Sequence, residues 1–549
     1  METITFELQL TQDADLKSEC KSEILNSFGS KVKSLTDEED DSVLSDCYKL
    51  NLRIPGSAIW DTARQLIMIN GVLAVDPDLN SSLDKAYRNL FQKETREPAQ
   101  TKERPDPRWY HKNTRFEEAR EFAEAEFRSG RGSFNPTKTM LRIAQFDTGY
   151  TNHPEIALID KKAGYNYIAG IFRRILQPGW QRDARDRLRN LRPILWASHG
   201  TSTASTLIGS KVKHKDEITG TLRDRINGLL PHNIDLIPFR ISENIISFNN
   251  KMIHAVDQVI RNGDIKIITM SHASLFRKQS WKQAVARAYD RGIIWVAAGG
   301  SHAYGKLRSI IVYPAKFKET IAVAASTIDD TPWERTHYGE EIDICAPGFD
   351  MYVPSSRRQV YGLLPDKYMY KWSEGTSFST PITAAAAALW SAHHGEEKLS
   401  ERYPEPWQRV EAFRKALRES ARPHKAGIKQ SLYGAGLLDV LQLLKADLPD
   451  RQSLVHASAK ARHPSSLEDM NEKLNHITEK EIIYLLASAK ILELDKPGES
   501  LYNYVYQHAS GEAKKLLDKL TLPEKLPEGP DPRSEAIKIH CKEFLNSWS

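Results

Sequence analysis

Three short segments display the residue types that a covalent acyl-transfer catalyst needs. In IAQFDTGY, Asp147 follows an apolar run and Gly149 allows a turn. SHGTSTAST puts His199 ahead of a series of small residues, and SEGTSFSTPITAAAAALW puts Ser377 shortly before a proline and five alanines. A serine hydroxyl is a poor nucleophile until a base removes its proton, and that base is usually held in the right tautomer by a carboxylate. Asp147, His199 and Ser377 supply one of each, in that order. A helix beginning at Ser377 would aim its first backbone N–H groups at the reacting centre, where they can bind the oxyanion of a tetrahedral intermediate. Pro381 is then tolerated because first-turn N–H groups have no intrahelical partner. The alanines suit a helix pressed against a sheet, and Gly200 with Thr201 to Ser205 indicates a similarly close approach behind the base. Singly, each segment reads as an ordinary loop, cap or turn. Their order, and their common position at strand ends, makes them a set.

The elements that must position them follow from periodicity. Between Met140 and about Asp447, the runs LRIAQF, DLIPFRI, IKIITMS, GIIWVAA, TIAVAAS and IDICAP are short and nearly all apolar, as expected of parallel strands buried on both faces. Helices separate several of them: Met252, Ile253, Val256, Val259 and Ile260 share one face, as do Trp281, Val285, Ala288 and Tyr289. The expected fold class is an open α/β parallel sheet with helices on both faces, in which ligands gather at the carboxyl ends of the strands.

Other units flank this domain. In residues 1–80, Ile4, Phe6, Leu8 and Leu10 alternate with polar residues, and Tyr48, Leu50, Leu52 and Ile54 repeat the pattern. Ala14 to Phe28 reads as a helix. A second helix carries Ile59, Trp60, Ala63, Leu66 and Ile67 on one face, with Gly71 available as a left-handed cap. With SKVKSLT and VLAV as strands the order is β-α-β-β-α-β, a ferredoxin-like α+β domain. The acidic run DEEDD (Asp37 to Asp41) lacks ligand spacing and reads as a solvated turn. Residues 81–137 read as a linker containing one charged helix, FEEAREFAEAEF. Residues 138–447 form the catalytic domain, and 448–549 a helical C-terminal domain in which SSLE (Ser465 to Glu468) and TEKE (Thr478 to Glu481) have capping-box spacing.

Bulk properties exclude some classes. The 549 residues contain 77 Lys and Arg against 72 Asp and Glu, so no basic footprint points to nucleic acid or an anionic membrane. The start, METITFELQLTQD, lacks the pattern of a secretory leader, and no run reaches the apolar length of a membrane span. Cys20, Cys47, Cys345 and Cys541 are scattered without metal or framework spacing, which suggests free thiols, neither disulfides nor zinc, and a cytoplasmic location. No cofactor is expected.

At the three reactive segments the chain resembles the subtilases, the subtilisin-like serine proteases. DTGYTNHPEI is similar to their Asp motif, SHGTSTAS to their His motif and GTSFSTP to their Ser motif, with VYPAKF and DICAPG as flanking landmarks. The resemblance covers roughly Met140 to Asp447. It implies that Ser377 attacks the peptide carbonyl, His199 is the base and then the acid, and Asp147 orients it. The N-terminal unit is similar to subtilase propeptides, which act as folding helpers and inhibitors. Processing is then expected between Asn80 and Arg131.

The departures from the family bear directly on chemistry. Relatives have AAGN where this chain has AAGG, so Gly300 stands where an asparagine side chain supplies an oxyanion donor. Loss of that donor lowers turnover by about a hundred- to a thousandfold, as measured on a family member. Thr376, the Ser377 N–H, Ser301 and His302 are the groups placed to compensate; Gly300→Asn discriminates the readings, since a large gain in cleavage argues for a slow enzyme and no activity in either form for a binding module. SHA at Ser271, His272 and Ala273 replaces a glycine-bearing segment of the specificity pocket, which Ala297, Ala298 and Gly299 also line in the resemblance. The stretch from Leu207 to Asp235 does not match the calcium loop of secreted members, so no calcium is expected. Three functions follow: a cytoplasmic endopeptidase acting on protein or peptide, held quiet by its N-terminal domain and steered by a partner of its C-terminal helices; a pseudoprotease or peptide-binding regulator with an impaired oxyanion hole; or a non-proteolytic α/β binding domain, for which no GxGxxG or phosphate loop supplies a ligand.

Overall fold

The computed structural model describes residues 2–34, 47–55, 59–77, 104–138, 141–168, 179–186, 198–210, 226, 228–230, 232–243, 245, 251–274, 278–301, 311–357, 367–425, 427–428 and 432–457. The chain separates into two compact units.

The N-terminal unit has the order β1 (Glu2–Leu10), α1 (Ala14–Phe28), β2 (Lys33–Ser34), β3 (Cys47–Ile54), α2 (Ile59–Ile67) and β4 (Val72–Pro77). Its antiparallel sheet runs β2-β3-β1-β4, the ferredoxin-like arrangement expected from the alternation. Phe6 pairs with Leu50 and Leu8 with Tyr48. Those four side chains, with Leu10, Ile24 and Leu66, form this unit's buried core. Helix α1 opens on Asp13, whose carboxylate accepts the Leu16 N–H, and closes on left-handed Gly29. Helix α2 stops at Ile67, so Gly71, at φ +90°, shapes the turn into β4 and is not the helix cap. The DEEDD run lies outside the described residues.

The second unit is built on a seven-stranded sheet of order β11-β10-β9-β8-β5-β7-β6 in which every neighbouring pair is parallel. Its strands are β5 (Leu141–Asp147), β6 (Tyr165–Asn166), β7 (Ile234–Arg240), β8 (Ile265–Met270), β9 (Ile294–Ala298), β10 (Ile321–Ser326) and β11 (Ile344–Pro347). The six apolar runs are all strands here. The short edge strand β6 and the antiparallel hairpin β12 (Met351–Arg357) with β13 (Lys367–Ser373) were not anticipated. Strand β5 pairs with β7 on one side and β8 on the other, so the strand order reverses around it and a crevice opens at its carboxyl end.

The segment read as a linker contributes to this unit's core. Helices α3 (Trp109–Asn113) and α4 (Phe116–Arg128) bury Trp109, Tyr110, Phe116, Ala119 and Ala123 in it. The charged residues of FEEAREFAEAEF cover only the outer face, and the phenylalanine and alanines between them carry the packing.

Helix α5 (His199–Ile208) follows β6, and α6 (Lys251–Asn262) precedes β8, burying Met252, Ile253, Val256 and Val259; Ile260 is half-buried. Helix α7 (Gln279–Asp290) precedes β9, with Trp281, Val285, Ala288 and Tyr289 buried. Helix α8 (Thr376–His394) is enclosed on all sides, packing on α5 and on β8, β9, β10 and β11. Ala384 to Ala388 are all buried, and their small side chains permit the close contact with the sheet. The unit ends with α9 (Glu396–Arg402), α10 (Pro406–Glu419) and α11 (Val440–Lys445). The segments SSLE and TEKE, read as capping boxes, lie outside the described residues. Among the described residues no helix is long and apolar enough to cross a membrane.

Cys20 and Cys345 are free and buried, and burial pushes the Cys20 thiol up to about 11 and that of Cys345 higher still. The Cys47 side chain and Cys541 lie outside what is described.

Candidate active site

Asp147 is the last residue of β5, at the strand reversal, and is 2% exposed. His199 is the first residue of α5 and 7% exposed. Its Nδ1 lies 2.8 Å from Asp147 Oδ1. A carboxylate there selects the tautomer protonated at Nδ1 and leaves Nε2 as the base. The carboxylate is itself fixed: Oδ1 accepts the Thr148 N–H at 2.7 Å, and Oδ2 accepts the Thr203 hydroxyl at 3.0 Å. Gln145, two residues upstream on the same strand face, donates to Thr203 Oγ1 and to Gly200 O, both at 2.8 Å. Strand and helix thereby hold each other in register at the two ends of the acid–base pair. Thr203 lies one turn beyond His199 and Gln145 one pleat before Asp147; these spacings were visible in the sequence and were overlooked.

The entry into α5 is strained. Ser198 has φ +61°, a conformation that costs a residue with a side chain roughly 1–2 kcal/mol. Its surroundings compensate: its N–H donates to Asp186 Oδ2 at 2.8 Å, and its hydroxyl accepts the Ser356 N–H at 2.9 Å. Strand β12 thus buttresses the turn that aims His199.

Helix α8 begins at Thr376, one residue earlier than expected, with Ser377 second and Gly375 as the cap. Pro381 is therefore inside the helix, beyond the first turn, which corrects the sequence reading. Lacking an N–H, Pro381 leaves the carbonyl four residues back without its helical donor, and that carbonyl belongs to Ser377. The Ser271 hydroxyl takes the vacant place, donating to Ser377 O at 2.8 Å. The proline costs little here because a side chain from the end of β8 replaces the missing bond, and that bond anchors the nucleophile's backbone to the sheet. Ser377 is half-buried, and its hydroxyl makes no hydrogen bond among the described residues. In the absence of substrate a nucleophile–base contact is often long.

The expected substrate-binding residues lie on two adjacent strand ends. Ser271, His272 and Ala273 follow β8, while Ala297 and Ala298 end β9 and Gly299 follows it; all six are buried. His272 lies close enough to Asp147 and His199 to feel both charges, and burial lowers its pKa to about 4, so its ring stays neutral at ordinary pH. It adds no positive charge beside the base.

Gly300 and Ser301 are half-exposed at this rim. Gly300 has φ +110°, and a Cβ built on it would lie 2.5 Å from His337 Nδ1. The His337 N–H also donates to Gly300 O at 2.9 Å. The His337 ring occupies the room an asparagine would need, so Gly300→Asn requires that ring to shift and strains the backbone at positive φ. Thr376 is buried, and its carbonyl accepts the Thr380 hydroxyl at 2.8 Å. His302 lies outside the described residues.

At the carboxyl end of α5 Glu155 is fully buried, with Tyr370 Oη donating at 2.9 Å. Burial raises its pKa to about 7, against the partial opposition of Tyr370 and of the Ile226 and Ser210 N–H groups. A carboxyl whose folded pKa exceeds its ordinary 4.5 favours folding when protonated, so its contribution to stability declines as pH rises from about 4.5 to about 7. Glu155→Gln is expected to flatten the fall in melting temperature between about pH 5 and about pH 8. An unchanged slope would show that Glu155 does not titrate there.

Among the described residues no group of three or more His, Cys, Asp or Glu could hold a metal ion. Residues 211–225, part of the stretch read as lacking a calcium loop, lie outside the described residues.

Comparison with known proteins bears on this geometry. The model of the Subtilase family matches residues 142–436. Subtilisin DY from Bacillus licheniformis is 31% identical over 194 residues, covering 35% of this chain and 62% of that protein. An alkaline protease from Alkalihalobacillus alcalophilus is 25% identical over 308 residues, covering 55% of this chain and 64% of its own length. The chain therefore spans less than two thirds of the length of these relatives. Among solved structures, fervidolysin from Fervidobacterium pennivorans, described as a keratinolytic enzyme related to subtilisin, superposes with a TM-score of 0.52 at 16% identity over 82% of this chain and 62% of that one, a likeness of fold.

Proposed function

This chain belongs to the subtilase family, and from that premise we propose that it is a serine endopeptidase hydrolysing peptide bonds in proteins or peptides. The observation that carries this reading is the buried Asp147–His199 pair at the strand reversal, with Ser377 at the start of an enclosed helix. Ser377 Oγ forms a bond to the substrate carbonyl carbon as its proton passes to His199 Nε2, and the carbonyl π pair moves onto oxygen. When that pair returns, the C–N bond breaks and the leaving amine takes the proton from His199. Water then repeats the sequence on the acyl-enzyme, releasing the acid and restoring the serine.

The N-terminal unit acts as an inhibitor and folding helper that is cut from the chain, a role supported by its ferredoxin-like order. The cytoplasm is the site of action, supported by two buried free thiols. The activity is tested by incubating the processed chain with unfolded casein and labelling new amino termini. Accumulating termini, suppressed by a sulfonyl fluoride, are expected; their absence would refute the reading.

One observation favours a second reading: no side chain fits at Gly300, so one expected oxyanion donor is missing. A processed chain that binds peptides in its groove and never cuts them would identify a peptide-binding pseudoprotease.

A further inference from the structure

Hydrolysis through Ser377 requires somewhere for negative charge to form on the substrate oxygen, with donors about 2.7–3.1 Å away. Gly375, the buried cap of the nucleophile helix, marks where the candidate donors meet the nucleophile. Leaving aside Gly375 and its two chain neighbours, three atoms lie nearest the position a Cβ would take on Gly375. These are Ser377 N at 3.6 Å, Ser377 Oγ at 3.8 Å and Ser301 Oγ at 3.8 Å. The nucleophile, one backbone donor and one hydroxyl thus face a single small volume.

Neither atom facing the nucleophile is committed elsewhere by the fold. As the second residue of α8, Ser377 belongs to the turn whose N–H groups have no helical acceptor, and its partial positive charge favours an anion. The Ser301 hydroxyl makes no hydrogen bond among the described residues. Its backbone, in contrast, is fixed: Ser301 bridges Thr336 across the neighbouring strand segment, and Gly300 O accepts the His337 N–H. The glycine beside it gives up its own side-chain space to His337.

Building on the peptidase reading, we propose that the Ser301 hydroxyl is the second oxyanion donor, acting with the Ser377 N–H. Thr376, the first residue of α8, is buried, and its carbonyl accepts the Thr380 hydroxyl. The donor has moved one residue along the chain, from a side chain at 300 to a hydroxyl at 301. A hydroxyl is a neutral, rotatable donor, able to turn toward an oxygen that the Ser377 amide also reaches.

The test uses the processed chain and the peptide anilide on which it turns over fastest, with kcat and KM measured across pH for the wild type and for Ser301→Ala, Ser301→Cys and Ser301→Thr. Alanine removes the donor, cysteine keeps the size with a weak donor, and threonine keeps the hydroxyl. Ala and Cys are expected to lower kcat by about 10- to 100-fold, with KM within about twofold and an unshifted pH profile, and Thr to recover most of the loss. Wild-type kcat in the folded Ala and Cys variants would overturn the assignment. So would a loss confined to KM, or one accompanied by a shifted pH profile, since either means that Ser301 acts through binding or through His199. A wild type without Ser377-dependent turnover would overturn the peptidase reading and this inference together, which separates the two failures.

Discussion

Ser377→Ala is expected to lower peptide hydrolysis by about 10⁴- to 10⁶-fold and to leave the fold almost untouched. Both halves follow from the same atoms. The Ser377 hydroxyl makes no hydrogen bond among the described residues, so its removal strips no bond from the buried helix. The bond that holds this position, from Ser271 to Ser377 O, involves the backbone and survives the substitution. Stability should therefore change by less than about 0.5 kcal/mol, as for other side chains without buried partners. Turnover, in contrast, loses the covalent route, and the remaining donors and acid–base pair can act only on water. Active-site-titrated kcat beside a chemical denaturation curve reads both quantities. A variant that keeps more than about one hundredth of wild-type turnover would mean that another group attacks the carbonyl.

Gly200→Ala is expected to damage stability and activity together. A Cβ at Gly200 would lie 2.1 Å from Gly149 O, with Gly149 C and N also within about van der Waals range. The three nearest atoms all belong to the Gly149 backbone, so no flexible side chain can yield to relieve the closest clash. Gly149 cannot retreat either: it has φ +95°, and a Cβ on it would meet Ala184 O at 2.2 Å. That same carbonyl accepts the Tyr150 N–H at 3.1 Å. The displacement must pass into the first turn of α5, which carries His199, and away from Asp147. A shift approaching 1 Å at a catalytic base costs about 10²-fold or more in rate. The overpacking itself costs about 1–3 kcal/mol. Thermal unfolding and kcat/KM should fall in the same variant, unlike Ser377→Ala, and wild-type values of both would show that the loop is free to move.

The parts of the site that the sequence exposed are those where a single residue type carries the chemistry. Asp147, His199 and Ser377 each followed a recognisable strand or turn signal, and the buried strands were legible because parallel strands covered on both faces read as unbroken apolar runs. What was misread depended on partners distant in sequence. Pro381 was assigned to the first turn because the hydroxyl that replaces its hydrogen bond comes from Ser271, more than a hundred residues away. Gly300 was read as a missing side chain, whereas His337 fills the space that such a side chain would take. The helix Phe116–Arg128 was read as part of a linker because glutamates dominate its composition, while Ala119 and Ala123 are buried in the core. The hairpin Met351–Arg357 with Lys367–Ser373 was missed although KYMYKWS alternates in the manner of a strand, and it supplies the Ser356 N–H that supports Ser198. Local pattern identifies reactive groups; the contacts that hold them arise from topology.

Covalent labelling tests the central claim most directly: the processed chain is treated with a fluorophosphonate, digested, and its adducts located by mass spectrometry. A single adduct on Ser377 is expected, absent from Ser377→Ala and formed far more slowly in Asp147→Asn. Folded protein that carries no adduct on Ser377, or one only at another serine, would contradict the assignment of Ser377 as a nucleophile activated by His199.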